Sequence, residues 1–210
     1  MRFEQEGRNN HYHMDSHLIE KSMPGSGTRK KVDLSLYDNS WYQPGSKVKR
    51  LLWFFVNIIV FKNPFNTLYG FKVWILRLFG AEVGHSVIIK PSVNIKYPWF
   101  IKMGNQIWIG ENVWLDNHTD IQIGNNVCIS QGATLMTGNH NYKKPGFDLL
   151  VGKITLDDGV WIGAGSMVCP NVHCRSHSVL AVGSIATKDL EAYKIYQGNP
   201  AKEVREREIR

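Results

Sequence analysis

The sequence predicts an all-β solenoid, a three-sided prism of short parallel strands, preceded by a helical segment. Apolar residues return every six positions between Val83 and Ala186, and Gly or Asn often stands three places later. A six-residue step fits neither an α-helix nor an alternating open sheet, and it is typical of hexapeptide solenoids. Gly and Asn tolerate positive φ angles, so each predicts a corner of the prism. The steps start at Val83, Ile89, Ile95, Ile101, Met103, Ile109, Leu115, Ile121, Ile123, Ile129, Leu135, Leu156, Ile162, Val168, Cys174, Leu180 and Ala186.

Residues 1–31 are polar, show no periodicity and contain Gly25-Ser26-Gly27. Such a composition cannot bury enough apolar surface to fold, so this segment is predicted to be a disordered tail. It lacks the apolar core of a signal peptide. Its histidines could bind a metal, but incidental histidines in a flexible tail are the favoured interpretation.

Residues 32–80 are predicted to form an arm, 33–44, followed by two helices. The run Leu51–Phe61 is almost wholly apolar and flanked by lysines, yet it is shorter than the ~20 residues that span a bilayer. Two interpretations stay open for it: a helix packed on the solenoid or a neighbouring subunit, or a helix lying on a membrane with lysines toward the headgroups. Leu68–Phe79, followed by Gly80, predicts a second helix. Both would cap the unpaired strand edge at the end of the prism.

Residues 81–189 are predicted to form the β-helix. Each hexad supplies a short strand, a corner and two inward side chains, and three hexads make one turn. Two insertions, Ile101-Lys102 and Ile121-Gln122, fall one turn apart and are expected to bulge from one edge. Tryptophans at three outward positions could stack on a sugar, but a subunit interface is the favoured interpretation. These are Trp108, Trp114 and Trp161.

The six-residue step is interrupted by a loop at 136–153 that contains His140. The solenoid does not need this loop for packing, and loops projecting from rigid scaffolds commonly carry function. A neutral imidazole near pH 7 can take a proton from a hydroxyl, which suits acyl transfer to an alcohol. His140 is therefore the candidate catalytic residue.

Composition narrows the classes of partner. The net charge is +7, and basic residues concentrate outside the repeats, including a basic C-terminal tail at 190–210. A phosphate-bearing ligand, an anionic membrane or ordinary solubility would each explain this bias. Nucleic acid is not expected, because no recognition motif accompanies the charge. Cys128, Cys169 and Cys174 lack disulfide or zinc spacing and indicate reduced thiols of a cytoplasmic protein.

Several motifs resemble a known family. The repeats, the loop start Thr137-Gly138-Asn139-His140, and the runs 159–165 (GVWIGAG) and 183–189 (GSIATKD) are similar to acyl-CoA-dependent O-acetyltransferases with a left-handed β-helix. The resemblance is closest to the colanic-acid-biosynthesis type and covers roughly residues 33–205. It implies left-handed coils and a homotrimer with active sites between neighbouring prisms. It also implies acetyl-CoA as co-substrate, no metal, and a saccharide acceptor, lipid-linked or free, in exopolysaccharide biosynthesis.

The resemblance also implies roles for individual residues. His140 matches the general base, and the backbone N–H of Ala164 matches the donor to the tetrahedral oxyanion, a kind of donor worth ~3 kcal/mol. Galactoside-type members use an Asn in a longer stretch where this chain has a shorter one, so Asp116 and Asn117 are the acceptor-side candidates. Coenzyme contacts are implied for Gly163, Ala164, Val182, Gly183, Ser184, Thr187, Lys188, Lys202 and Arg205, although Gly163 could equally serve only a corner.

Several alternatives stay open at this stage. His118 is interpreted as a corner residue rather than a second base, and Asp148 either orients His140 or is an exposed loop carboxylate. A zinc-dependent carbonic anhydrase of the same fold would need three converging imidazoles, and a non-catalytic scaffold would need none. The expected location is the cytoplasm, at the inner face of the membrane if 51–61 binds lipid.

Overall fold

The computed structural model describes residues 30–210, and its body is a solenoid of short parallel strands. The predicted tail therefore lies almost entirely outside the described residues. The helical elements are a 3₁₀-helix Leu34–Leu36, α1 Lys47–Val56, a π-helix Asn57–Phe61, α2 Tyr69–Leu78 and a 3₁₀-helix Pro98–Phe100. The strands are β1 Glu82–Val83, β2 Ile88–Ile89, β3 Asn94–Ile95, β4 Ile101–Met103, β5 Trp108–Ile109, β6 Trp114–Asp116, β7 Ile121–Ile123, β8 Cys128–Ile129, β9 Thr134–Met136, β10 Gly138–His140, β11 Leu149–Val151, β12 Ile154–Leu156, β13 Trp161–Ile162, β14 Met167–Val168, β15 His173–Cys174, β16 Val179–Leu180, β17 Ile185–Ala186, β18 Lys194–Gly198 and β19 Ala201–Glu206.

The strands form three faces of a prism. Face A has the order β1-β4-β7-β12-β15, and face C has the order β3-β6-β9-β14-β17. Face B runs β2-β5-β8-β13-β16-β18-β19, and its last pair is antiparallel. Successive solenoid strands pass from A to B to C, so each coil holds three hexads. The predicted solenoid is confirmed.

The apolar step residues fill the axis of the prism. Eleven of them have no exposed surface, and burying each large side chain is worth about 1.5–3 kcal/mol. The small or branched residue after each corner is also buried, which confirms two inward side chains per hexad. Burial raises the pKa of the Cys174 thiol. The eleven are Ile89, Ile95, Ile109, Leu115, Ile121, Ile129, Leu135, Ile162, Val168, Cys174 and Leu180.

Left-handed backbone marks the corners. All seven Gly or Asn corners have φ between 56° and 70°. Ser86, Ser92, Gln106 and His177 occupy the same hexad position with φ between 55° and 61°. The coil therefore imposes this conformation even on residues that do not prefer it, and residue type alone could not reveal those four corners. The seven are Asn112, Asn126, Gly132, Gly159, Gly165, Asn171 and Gly183.

The inserted residues do not bulge as predicted. Ile101 and Ile121 are buried and pair with each other in face A, so the insertions lengthen β4 and β7. The extra chain length appears instead at the preceding corners, where the 3₁₀-helix 98–100 and the bend 117–120 lie. The loop 136–153 leaves the same edge one coil later. All three irregularities thus share the edge between faces C and A, called edge CA below.

The helices cap the first coil, as predicted. Arg77 of α2 donates to the carbonyl oxygen of Val83 at 3.0 Å, at the open edge of face A. Lys72 is fully buried, and its ammonium donates to the carbonyl oxygen of Ile89 at 3.1 Å, at the open edge of face B. Burial lowers the pKa of Lys72 to about 8. These donors satisfy carbonyl groups that no neighbouring strand reaches.

The third face is capped from α1 and the π-helix. The indole Nε1 of Trp53 donates to the carbonyl oxygen of Ile95 at 2.8 Å, and the backbone N–H of Ile95 donates to Oδ1 of Asn57 at 3.2 Å. Trp53 and Phe61 are buried against the solenoid, while most other apolar residues of this segment are exposed. One face therefore packs as expected, and the opposite face remains open.

Three tryptophans lie on the outer surface of the solenoid. Trp108, Trp114 and Trp161 are 63%, 43% and 46% exposed, so their outward orientation is confirmed, whereas their interface role stays a prediction. Part of the segment 190–210, expected to be a tail, forms the β18–β19 hairpin on face B. Within residues 30–210, no helix has both the length and the apolar character needed to cross a bilayer.

Candidate functional site

A cleft of about 910 Å³ opens at edge CA. Its walls are the arm, the start of α1, the two irregular corners and the β10–β11 hairpin. The two irregular corners and the loop all contribute, because successive coils stack them along one edge. The side chains that line the cleft include Tyr42, Arg50, Lys96, Asp116, His118 and His140.

His140 lies at the end of β10, opposite Leu149 of β11, and its side chain is exposed toward the cleft. Its Nδ1 is 2.8 Å from the carbonyl oxygen of Phe147. A carbonyl can only accept a hydrogen bond, so Nδ1 carries the proton and the neutral ring keeps a lone pair on Nε2. This arrangement gives Nε2 the form that a general base requires.

Phe147 holds this contact through an uncommon backbone conformation. Its φ is +58°, a region that costs a non-glycine residue about 1–3 kcal/mol. The Phe147 ring stacks on the His140 ring, with centroids 5.5 Å apart and planes 27° apart. The backbone carbonyl and the ring therefore orient the same imidazole.

Asp148 has neither of the roles predicted for it. Its Oδ2 accepts from the Lys144 ammonium at 3.0 Å, and its Oδ1 accepts from the backbone N–H of Asp38 at 3.3 Å. The hydrogen bond from Lys144, followed by that from Asp38, lowers the pKa of Asp148. This half-buried carboxylate ties the loop to the arm, whereas the Phe147 carbonyl orients His140.

The arm docks on the loop and on edge CA. The backbone N–H of Asp33 donates to the carbonyl oxygen of Pro145 at 3.0 Å. The Tyr42 hydroxyl donates to the carbonyl oxygen of His118 at 2.7 Å, and burial raises the pKa of Tyr42. The arm thus closes one side of the cleft, which confirms the docking expected for residues 33–44.

His118 forms a polar cluster with Lys96 and Asp116. The Lys96 ammonium is 2.7 Å from Nε2 of His118 and 3.2 Å from Oδ1 of Asp116. An ammonium only donates, so Nε2 accepts and the ring is neutral with its proton on Nδ1. Burial and the Lys96 charge lower the pKa of His118, against a smaller opposing effect of Asp116. His118 lies in the bend at the irregular corner between β6 and β7, in agreement with its interpretation as a corner residue, although its φ is not positive.

The two acceptor-side candidates separate. Asp116 is 8% exposed and its carboxylate borders the cleft. Asn117 is fully buried, and its amide oxygen accepts from the backbone N–H groups of Lys96 and Tyr97 at 3.2 Å each. Its amide nitrogen donates to the Tyr97 carbonyl. The Asn117 prediction is therefore corrected: this amide holds the neighbouring corner and is not available to a ligand.

Five of the nine residues matched to a coenzyme site lie on another edge, between faces B and C, called edge BC: Gly163, Ala164, Val182, Gly183 and Ser184. Gly183 N–H donates to the carbonyl oxygen of Ala164 at 2.9 Å, so two predicted stretches are adjacent coils. Within residues 30–210, the N–H of Ala164 donates to no protein group. The same holds for Glu111, Gln131 and Val182 at the equivalent corner position, so the free N–H follows from coil geometry and does not single out Ala164.

Two members of that set have structural explanations. A Cβ on Gly163 would lie 2.6 Å from the backbone nitrogen of Val182, so close stacking of coils requires glycine there. The Ser184 side chain is buried, and its hydroxyl accepts from the N–H of Gly198 at 2.9 Å. A coenzyme along this stretch would therefore meet only the backbone of Ser184, and the coenzyme contact matched to it stays a prediction.

The other predicted coenzyme residues are accessible. Val182 is 73% exposed at edge BC. Thr187 and Lys188 are exposed beyond β17, where the chain turns toward edge CA, and Lys202 and Arg205 are exposed on β19. None of the coenzyme candidates lines the His140 cleft. One chain therefore presents His140 and the stretches around Ala164 and Val182 at different edges.

Sequence reasoning missed Arg50 and Lys96 on the cleft wall. Arg50 lies in the first turn of α1, and its Nε is buried without a hydrogen-bond partner within residues 30–210. The sequence did contain one signal for this wall. The two insertions fall one coil apart, so the irregular corners beside them must stack at one edge, and the side chains next to those corners must lie close together there.

Two further histidines of the solenoid, His173 and His177, have structural partners. His173 Nε2 lies 2.9 Å from Oδ1 of Asp157, and the His177 ring stacks on Tyr193 with centroids 4.7 Å apart. In the part of the chain that is described, no three His, Cys, Asp or Glu side chains group so that they could hold a metal ion.

Known proteins resemble this chain in sequence. WcaF of Escherichia coli, named as a colanic acid biosynthesis acetyltransferase, is 34% identical over 166 residues, which cover 79% of this chain and 91% of WcaF. The galactoside O-acetyltransferase of Escherichia coli is 32% identical over 130 residues, covering 60% of this chain and 64% of that protein. No protein-family model matches the chain.

The fold also matches a solved structure. A hexapeptide-repeat acetyltransferase from Vibrio cholerae, complexed with acetyl coenzyme A, superposes with a TM-score of 0.69 over 78% of this chain and 89% of that chain. The two sequences are 20% identical, so this likeness concerns the fold alone.

Proposed function

Because the chain belongs to the hexapeptide-repeat acetyltransferase family, we propose that it transfers the acetyl group of acetyl-CoA to a hydroxyl of a saccharide. The name of WcaF supports a role in exopolysaccharide biosynthesis. The name of the galactoside O-acetyltransferase supports a sugar hydroxyl as the acceptor. The acetyl-CoA complex of the Vibrio cholerae protein supports the donor.

The orientation of His140 is the observation that carries this proposal. Nε2 takes the proton of the acceptor hydroxyl while the oxygen attacks the thioester carbonyl. The tetrahedral intermediate then expels the CoA thiolate, which receives that proton from the imidazolium. The Phe147 carbonyl, 2.8 Å from Nδ1, keeps the tautomer correct and stabilises the imidazolium. Positioned acid–base catalysis of this kind contributes about 10²- to 10⁴-fold.

The separation of the two edges supports a homotrimer. His140 stands at edge CA, whereas Ala164 and Val182 stand at edge BC of the same chain. In the proposed homotrimer, parallel prisms pack so that edge CA of one copy lies beside edge BC of the next. In that arrangement the coenzyme lies along edge BC, and the Ala164 N–H of one copy faces the oxyanion formed beside His140 of its neighbour.

The cleft suits a saccharide. Its volume of about 910 Å³ is at the large end of ligand sites. Tyr37, Tyr42 and Tyr97 supply aromatic surface, and the Asp116 carboxylate can accept hydrogen bonds from sugar hydroxyls. The acceptor hydroxyl then sits between this wall and Nε2 of His140.

Thiol release from acetyl-CoA, measured with a panel of glycans and nucleotide sugars, tests the proposal. We expect turnover with at least one saccharide and a fall of roughly a hundredfold or more in His140→Ala. His85→Ala is the control, because His85 is exposed and does not line the cleft. Equal turnover in His140→Ala and the unaltered protein would show that His140 is not the general base. Acetyl transfer only to non-saccharide acceptors would show that the acceptor is not a saccharide.

A further inference from the structure

We propose that the helical end of the prism docks on an anionic lipid bilayer. The outer faces of α1, α2 and the segment between them carry large apolar side chains that are exposed and do not belong to the buried core. Ten such side chains are between 54% and 90% exposed, and six of these ten define the surface. These six, the helical-end surface, are Leu51, Leu52, Phe55, Phe65, Trp74 and Leu78.

The exposed side chains are not needed for capping. Trp53, Phe61 and Leu76 on the inner faces are at most 2% exposed and already fill the contact with the first coil. Helices that only cap a solenoid would be polar on the outside. Large exposed apolar surface of this kind marks contact with another apolar phase or partner.

The charge around this surface favours an anionic bilayer over a second protein. Between residues 39 and 81 there is no Asp or Glu, whereas there are six Lys and Arg, of which only Lys72 is buried. Lys47 and Lys62 are exposed at the two ends of the α1–π-helix segment, and Arg77 is exposed on α2. A basic residue near an anionic membrane surface contributes about 1 kcal/mol, and long basic side chains reach the headgroups while apolar neighbours enter the acyl region.

The position of the surface also favours a bilayer over a neighbouring copy. α2 lies across the end of the first coil, since Lys72 and Arg77 cap strands β2 and β1 there. In the proposed homotrimer, on which this step rests, parallel copies meet on their lateral faces, so their helical ends point the same way and could bind one membrane plane together. Lys47 at the start of α1 also borders the cleft, so docking places the cleft opening beside the headgroups.

Flotation of the full chain with vesicles tests this without requiring turnover, so its failure is separable from failure of the acetyltransferase proposal. We expect flotation with vesicles of phosphatidylcholine and phosphatidylglycerol, and little with phosphatidylcholine alone. Phe55→Ser combined with Trp74→Ser should reduce binding at least tenfold, and Lys62→Glu should reduce it only on anionic vesicles. Ile209→Ser, which alters an apolar residue 60% exposed outside this surface, should bind normally.

Light scattering and a soluble acceptor complete the experiment. The double variant should keep its oligomeric state and its turnover, because neither residue lines the cleft. Absence of flotation in the unaltered protein overturns the proposal. Unchanged vesicle binding by the double variant, with dissociation of the oligomer, also overturns it and identifies a second copy as the occupant. If the double variant fails to fold, Lys62→Glu alone decides, and unchanged binding to anionic vesicles then counts against the bilayer.

Discussion

The carbonyl oxygen of Phe147 lies 2.8 Å from Nδ1 of His140, and this contact leaves Nε2 as the basic nitrogen. The carbonyl reaches that place because Phe147 adopts a φ of +58°. A backbone atom, unlike a carboxylate, cannot take the proton from the ring, so it fixes the tautomer without competing for the proton. The orientation of the base therefore depends on the conformation of the loop.

A comparison of Phe147→Gly with Phe147→Ala should separate the energetic cost of the positive φ at residue 147 from the effect of losing the aromatic ring. Both variants remove the stacking on His140, but only alanine keeps the cost of a positive φ. We expect the glycine variant to be more stable by about 1 kcal/mol. Urea unfolding of the two proteins measures the difference, and equal midpoints would contradict the strained loop.

The hexad pattern predicted the coil because each turn repeats the same steric demand at the same positions. The sequence showed where the insertions are, but not which structure they adopt. Ile101 and Ile121 became strand residues because pairing with each other buries both side chains. Contacts such as Lys96 with His118 join residues of neighbouring coils, and the distance depends on stacking register and not on local preference. Asn117 illustrates the ambiguity, since an amide suits a sugar and a buried corner equally well.

Stability should depend on the titration of Lys72. Its pKa is about 8 in the folded protein and 10.5 without burial. Below pH 8 both states are protonated, and folding bears the cost of burying the ammonium. Between pH 8 and 10.5 only the unfolded chain keeps the proton, so the free energy of unfolding rises with pH, by about 3 kcal/mol in all.

Urea unfolding at pH 7.5 and pH 10 measures this effect. In Lys72→Met, most of the increase in the free energy of unfolding with pH should disappear. In Lys90→Met, which alters an exposed lysine, the increase should remain. An identical pH response in both variants would show that Lys72 is not the source.

Arg50 should select acceptors that carry a negative group. Its guanidinium borders the cleft, and its Nε is buried without a partner within residues 30–210. A charge-assisted hydrogen bond is worth about 1.5–3 kcal/mol, which corresponds to roughly a 10- to 100-fold change. Arg50→Gln should raise KM by that factor for acceptors with a carboxylate or phosphate, and leave KM for acetyl-CoA unchanged.

Lys49→Gln is the matched control for Arg50. Lys49 is the adjacent basic residue, but its ammonium lies over the Trp99 ring, 4.5 Å from the centroid, and does not line the cleft. Steady-state kinetics with paired neutral and anionic saccharides provide the measurement. A similar loss for both kinds of acceptor would assign Arg50 a structural role.

Two inactive variants should restore activity when they share one oligomer. His140→Ala lacks the base at edge CA, and Val182→Trp places a bulky ring on the exposed coenzyme edge BC. If each site combines edge CA of one copy with edge BC of another, some mixed interfaces contain both intact edges. Co-expression with two affinity tags and tandem purification should therefore yield an active mixed trimer, while each variant alone stays inactive. Turnover no higher than that of the single variants, in a mixed oligomer verified by mass, would place the whole site within one chain.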